Sequence, residues 1–175
     1  KKSNLKDTRL DIPQDMIKEI GIYRLLGEIS CLPKLFLINF EPEIKLQFEL
    51  GVKTLTDAIS ALDYQQSVII LFRLIKCMRS SASQGIIHCD LKPANCIISQ
   101  EGTVQIIDWG VSQIDQSKDQ LIKKNTFIQT LWYSAPEILV YQLAQNNLES
   151  YSNKIDIWSL GCIALEMFSG IPGFS

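Results

Sequence analysis

The sequence has only one histidine, and its five cysteines show no C-x-x-C spacing. An odd cysteine count without paired spacing argues against a disulfide framework and a structural zinc site, so we expect reduced thiols in an intracellular protein, cytoplasmic or nuclear. No apolar run approaches the ~18 residues of a membrane-spanning helix. With a net charge of -2 and no basic cluster, we expect neither a nucleic-acid nor a membrane partner.

The 175 residues, 46% of them hydrophobic, suffice for one domain with a core. Apolar spacing and turn residues predict alternating helices and strands. The predicted elements are a helix over 11–28 with Asp11 as its cap, strands within 32–40 and 44–50, helices over 54–60 and 64–81, a hairpin over 96–108 that turns at Gly102, a long loop over 108–135, and a helix over 152–170 that ends at Gly170.

The short stretch 86–98 has two apolar ends that read as buried strands, and polar groups are concentrated between them. It contains His88, Asp90, Lys92 and Asn95. A second unusual feature is Asp156, an acidic residue in a helix that is apolar nearly all round and therefore reads as buried. A buried carboxylate needs partners. Asp156 either lies on the exposed edge of the first turn or accepts hydrogen bonds from a loop.

Four ordered motifs, "HCDLKPAN", "DWG", "APE" and "DIWSLG", resemble those of eukaryotic protein kinases. Asp90 and Asn95 fit the first signature, Asp108 fits the second, and residues 135–137 fit the third. The resemblance implies an α+β fold with the two lobes of a protein kinase. It also implies an enzyme that transfers a phosphoryl group from ATP to serine or threonine residues of proteins.

The resemblance also implies the roles of the catalytic residues. Asp90 would accept the proton of the substrate hydroxyl, and Lys92 would neutralise charge on the transferred group. Asn95 and Asp108 would bind Mg²⁺ between them. Lys92 and Thr130 are similar to the residues that serine/threonine kinases carry at these positions. Asp156 resembles an aspartate that hydrogen-bonds the catalytic loop, and His88 a packing residue.

By the same resemblance, a second set of residues would form the ATP pocket. Glu19 would pair with a lysine about 18 residues upstream, which is Lys1. Phe48 would line the pocket edge, the backbone of Glu49 and Gly51 would contact adenine, and Ile97 would pack on its flat face. The predicted set for the nucleotide is Lys1, Glu19, Phe48, Glu49, Gly51, Ile97 and Asp108.

The subfamily stays open. "TLWYSAPEIL" is very close to the cyclin-dependent kinases, "DWG" is similar to the casein kinase 2 family, and "HCDLKPAN" also resembles a dual-specificity spindle-checkpoint type. The implied partners are a protein substrate and a possible regulatory subunit.

Departures from the family concern regulation. Many kinases gather an activation-loop phosphate with arginines, whereas this chain has Cys89, Lys18 and Gln113 at those positions and Asn125 at the usual acceptor position. A neutral thiol cannot pair with phosphate, so we expect activity without loop phosphorylation, with Thr126 as the one neighbouring acceptor. Ser134 replaces an arginine common in proline-directed kinases, which argues against that preference.

The resemblance covers the catalytic middle of a kinase domain. Residues 1–50 would belong to the small lobe, with one helix and two strands, and residues 51–175 to the large lobe. A glycine-rich loop is expected upstream and further helices downstream. We expect these 175 residues alone to bind ATP weakly, to be poorly soluble and to be inactive as an enzyme. The alternative is a pseudokinase-like binding or scaffold module that lacks the phosphate loop.

Overall fold

A computed structural model describes residues 14–27, 31–39, 45–114, 129–144 and 151–174. The predicted cap Asp11, the candidate Lys1 and the loop residues Asn125 and Thr126 lie outside these ranges. The fold is the α+β arrangement that the motifs imply, with helices and small antiparallel sheets.

The amino-terminal part consists of one helix and a two-stranded antiparallel ribbon. Helix α1 spans Gln14–Leu26, and strands β1 (Leu35–Asn39) and β2 (Lys45–Phe48) pair with each other. The ring of Tyr23 on α1 lies 4.9 Å from the ring of Phe48, centroid to centroid. This contact packs the helix against the ribbon at the point where the chain passes to the larger part.

The described residues of the larger part, 51–114, 129–144 and 151–174, form four α-helices and five short strands, besides short 3-10 turns. Their bounds are α2 Leu55–Ala58, α3 Tyr64–Ser83, α4 Pro136–Ala144, α5 Lys154–Ser169, β3 Lys53–Thr54, β4 Ile86–Ile87, β5 Cys96–Ile98, β6 Val104–Ile106 and β7 Gln113–Ile114. One antiparallel sheet has the order β3-β5-β6, and β4 pairs with β7 in another.

Local sequence signals explain several of these boundaries. Helix α3 begins at a capping box in which the Asp63 side chain accepts from Gln66 N and the Gln66 side chain accepts from Asp63 N. The β5–β6 hairpin turns at Gly102, whose φ of +71° suits glycine. Helix α5 ends at Gly170, also left-handed. The long loop predicted over 108–135 contains β7 and a 3-10 turn, Leu131–Tyr133.

The expectation that all cysteines are reduced is wrong for one pair. Cys31 and Cys77 form a disulfide, with their Cα atoms 5.7 Å apart and 46 positions between them in the sequence. It joins the segment before β1 to helix α3, a tertiary contact that cysteine spacing alone does not reveal. Cys89, Cys96 and Cys162 are free and buried.

The expectation that α5 is buried all round is also wrong. Its inner side contributes Ile155, Leu160 and Ile163 to the core, while Trp158 and Phe168 are 38% and 47% exposed. The physical reason is that α5 packs on α3 and the 131–133 turn from one side. Helix α3 has a similar exposed face, formed by Ile69, Phe72 and Ile75. Within the described ranges, no helix is long and apolar enough to cross a membrane.

Candidate active site

The carboxylate of Asp156 anchors the loop between β4 and β5. One carboxylate oxygen of Asp156 accepts a hydrogen bond from His88 N at 2.7 Å, and the other accepts from Cys89 N at 3.1 Å. Burial raises the pKa of Asp156, and the two backbone donors oppose this rise because they favour the charged form. Of the two possibilities left open by the sequence, the structure therefore has the buried one, in which Asp156 holds the loop.

His88 is a packing residue, as the resemblance implies. Its side chain is fully buried, and its ring meets the ring of Trp109 edge-on at 4.6 Å. Nδ1 accepts a hydrogen bond from Asp90 N at 3.2 Å, so Nε2 is the atom that donates to Ile107 O at 3.1 Å. Both ring nitrogens are thus used to hold the loop, and His88 presents neither to a substrate.

Four predicted catalytic residues meet around one carboxylate. Lys92 Nζ lies 2.6 Å from Asp90 Oδ2 and donates to Thr130 Oγ1 at 2.9 Å. Thr130 donates to Asp90 Oδ1 through its hydroxyl at 2.8 Å and its backbone N at 3.0 Å. Asn95 Nδ2 donates to Asp90 O at 2.9 Å and to Oδ2 at 3.3 Å. The structure brings together Asp90, Lys92, Asn95 and Thr130, although Thr130 is 40 positions from Asp90.

Asp108 follows the strand that pairs with β5. Cys96 is opposite Ile106 in the ladder, and Ile107 N donates to Asn95 O at 2.9 Å, which brings the chain before Asp108 beside Asn95. Asp108 is exposed and left-handed, with φ of +63°. Burial raises the pKa of Tyr23, and the charges of Glu19 and Asp108 add to the rise. Glu19, on helix α1, and Asp108 therefore both lie near Tyr23.

Trp109 is fully buried and holds the start of the following loop. Its Nε1 donates to Ile106 O at 3.1 Å. Its carbonyl accepts from both the backbone N and the hydroxyl of Ser112, at 3.1 Å and 2.6 Å. This large aromatic residue directly after Asp108 thus packs in the core and fixes the turn that presents the carboxylate.

The predicted adenine residues lie where β2 ends and β3 begins. Glu49 N donates to Lys34 O at 2.8 Å, and its side chain accepts from Gln105 Nε2 at 3.2 Å. A Cβ atom built on Gly51 would lie 3.0 Å from the Cδ1 atom of Ile97. Gly51 therefore packs directly on Ile97, and the absence of a side chain is needed for this approach.

The donor set fits a magnesium–nucleotide complex. Magnesium is usually bound by one or two protein oxygens together with substrate phosphates and waters. Asn95, whose amide nitrogen donates to Asp90, and Asp108, whose side chain is exposed, both carry oxygen atoms of the kind that Mg²⁺ binds. Among the residues with described positions, no three His, Cys, Asp or Glu side chains form a metal cage.

Cys89, at the expected arginine position, is buried in an apolar cluster with Ile87, Ala135, Ile138 and Ile155. Burial and the Asp156 charge raise the pKa of the Cys89 thiol, while a hydrogen bond with the Tyr151 side chain opposes the rise. The thiol is therefore neutral and turned into protein. Nothing in the sequence pattern pointed to Tyr151 as its partner.

Sequence reasoning also missed Gln129. This residue is buried and left-handed, with φ of +66°, and its side chain makes three hydrogen bonds. A glutamine in a segment without periodicity gives no signal of burial, so only the fold could reveal it.

The geometry around Asp90 and the α+β fold define the class of protein. The sequence-family model of the protein kinase domain matches residues 1–175, the whole of this sequence. The chain therefore belongs to the protein kinase domain family.

The curated relatives agree. The chain is 33% identical over 131 residues to the mitogen-activated protein kinase pmk-3 of Caenorhabditis elegans, covering 75% of this chain and 25% of that protein. It is 34% identical over 162 residues to cyclin-dependent kinase-like 2 of Homo sapiens, covering 90% of this chain and 31% of the relative. The same degree of identity holds for cyclin-dependent kinase-like 2 of Mus musculus. The chain thus spans about a quarter to a third of the length of these relatives.

Proposed function

We propose that the protein transfers the γ-phosphoryl group of ATP to serine or threonine hydroxyls of a protein substrate, with Mg²⁺ as cofactor. The observation that carries the proposal is the arrangement around Asp90, where Lys92, Thr130 and Asn95 all contact one carboxylate or its own backbone carbonyl. The bound metal would supply charge neutralisation on the phosphates.

The chain's own residues would then act as follows. The Asp90 carboxylate orients the substrate hydroxyl and accepts its proton. Lys92 Nζ, already beside Asp90, places a positive charge next to the transferred group. Asn95 and Asp108 offer oxygens to the metal, and Glu49, Gly51, Ile97 and Phe48 would receive the adenine. In this proposal residues 1–50 belong to the small lobe and residues 51–175 to the large lobe.

A phosphotransfer assay tests the function with a matched pair of Asp→Asn variants. Asp90→Asn removes the proton acceptor, and we expect kcat to fall by about 100-fold or more. Asp63→Asn changes a helix cap to a residue that caps equally well, so activity should be unchanged. Transfer that survives Asp90→Asn would refute the role of Asp90. A wild-type protein that binds ATP but transfers nothing would support a binding or scaffold module instead.

We also propose that activity needs no phosphate on the segment over 115–128. The buried neutral thiol of Cys89 supports this, since it offers no charge to a phosphate. Thr126→Ala and phosphatase treatment should both leave kcat/KM within about twofold of wild type, since the Cys89 thiol offers no charge with which a phosphate could pair. Abolished activity in Thr126→Ala would contradict this part of the proposal.

A further inference from the structure

Gln129 occupies a conformation that is unfavourable for its residue type. Its φ of +66° lies in the left-handed region, which is unfavourable for a non-glycine residue. Its side chain is also only 6% exposed. Strained residues persist where the surroundings hold them in place, and they cluster at functional sites. The question is what holds Gln129 and what its position achieves.

The side-chain amide of Gln129 joins two different parts of the fold. Oε1 accepts a hydrogen bond from Ala135 N at 2.9 Å, at the start of the segment that leads into α4. Nε2 donates to Ile155 O at 3.0 Å and to Ser159 Oγ at 2.9 Å, both on α5. Ser159 Oγ in turn lies 2.8 Å from Tyr133 O. The buried side-chain amide of Gln129 thus closes the turn over 129–135 and connects it to helix α5.

The backbone of Gln129 reaches a third element, the catalytic loop. Gln129 N donates to Cys89 O at 2.8 Å, directly before Asp90. The next residue, Thr130, makes the two hydrogen bonds to Asp90 and receives one from Lys92. A shift of Gln129 would therefore move Thr130 relative to the Asp90 carboxylate.

We propose that Gln129 is a positioning residue: its buried amide, bonded to Ala135 and Ser159, clamps the turn over 129–135 so that Thr130 stays in register with Asp90. The inference rests on the proposed phosphoryl transfer and deepens it. The clamp uses neutral hydrogen bonds only, so it holds the turn without a phosphate or an arginine. It supplies the physical means by which the loop would work unphosphorylated.

Two substitutions at Gln129 separate the amide from the backbone conformation. Gln129→Met keeps the side-chain length but removes all three hydrogen bonds. Gln129→Gly also removes them and relieves the left-handed strain. In the full-length protein we expect both variants to lower kcat at least about tenfold, because small misplacements of catalytic groups cost up to about 100-fold. The KM for ATP should change less than about twofold, since adenine binds elsewhere.

A merely structural role would lower the melting temperature without changing kcat per folded molecule. A second pair of variants tests the link itself. Ser159→Ala removes one of the two α5 partners of Gln129 Nε2 and should reduce kcat less than Gln129→Met. The double variant should cost less than the sum of the two single variants, because both lack the Gln129–Ser159 hydrogen bond. Ser81→Ala removes another buried serine, which bonds Met78 O on α3, and should act independently of Gln129→Met.

Amide hydrogen exchange gives a readout that does not depend on catalysis. In Gln129→Gly, the amides of Thr130 and Ala135 should exchange at least about tenfold faster than in wild type, while those of α3 should not change. Wild-type protein without transfer activity would refute the proposed function, and the exchange rates would still test the clamp. Full kcat in Gln129→Gly, or unchanged exchange at Ala135, would overturn the inference.

Discussion

Thr130 donates two hydrogen bonds to the same carboxylate oxygen of Asp90, one from Oγ1 at 2.8 Å and one from its backbone N at 3.0 Å. The other oxygen of Asp90 faces Lys92 Nζ at 2.6 Å. Both oxygens are therefore held by named donors, and the carboxylate plane is fixed before any substrate arrives. Preorganisation of this kind reduces the reorganisation that the reaction would otherwise require.

The hydroxyl of Thr130 gives the first prediction. Thr130→Val has nearly the same shape but lacks the hydroxyl, so it loses one bond to Asp90 and the acceptor for Lys92. A hydrogen bond to a charged group contributes roughly 1.5–3 kcal/mol, so we expect kcat to fall about 10- to 100-fold. Thr130→Ser retains the hydroxyl and should keep most of the activity. Full activity in Thr130→Val would contradict the role of the hydroxyl.

The second prediction concerns the carboxylate of Asp156. Asp156→Asn offers only one oxygen to the two donors, His88 N and Cys89 N, so one buried N–H group is left facing an amide nitrogen. An unsatisfied buried donor costs about 1–3 kcal/mol. Urea unfolding should show a loss of that size. The helix-cap variant Asp63→Asn, with the same chemical change at an exposed site, should lose less than about 0.5 kcal/mol. Equal stability of Asp156→Asn and wild type would contradict the anchoring role.

The sequence predicted the parts of the site that carry local signals. The strands at the two ends of residues 86–98, the hairpin at Gly102 and the helix end at Gly170 all follow from residue types at short range. The convergence of Asp90, Asn95 and Asp108 on one metal-bound nucleotide came from motif resemblance and stays a prediction. The hydrogen bonds of Asn95 to Asp90 show that these two residues lie together.

The features that were missed depend on contacts between distant positions. Nothing near Gln129 indicates that its amide meets Ser159, 30 positions later. Helical periodicity shows that an apolar face exists but not which face is covered, as the exposed Phe72 demonstrates. The Cys31–Cys77 pair likewise depends on the packing of α3 against the segment before β1.

That disulfide gives the third prediction. A cross-link between residues 46 positions apart restricts the unfolded chain, a stabilisation of about 4 kcal/mol on the chain-entropy estimate. Cys31→Ser should therefore lower the free energy of unfolding by about 2–4 kcal/mol under oxidising conditions. Dithiothreitol should abolish the difference between this variant and wild type. Five titratable thiols in denatured, unreduced protein would show that the bond does not form.

The fourth prediction concerns alkaline pH and Cys96. Burial raises the pKa of Cys96 to about 12, whereas an unfolded cysteine ionises near ~8.5. The folded state thus keeps a proton that the unfolded state releases, so the stability contributed by this group is complete below about pH 8.5 and declines as pH rises towards 12. The loss for this one thiol is about 1.4 kcal/mol per pH unit within that window.

Cys96→Ala isolates this contribution, because the alanine variant cannot release the proton. The variant will be less stable than wild type at pH 7, since it leaves a small cavity in the core. Between pH 9 and pH 10.5 the free energy of unfolding of Cys96→Ala should nevertheless fall less steeply than that of wild type. The two slopes should differ by about 1.4 kcal/mol per pH unit, the value for one proton. Urea unfolding at several pH values measures both slopes. Parallel curves for the two proteins would mean that the Cys96 thiol ionises as readily in the folded state as in the unfolded chain.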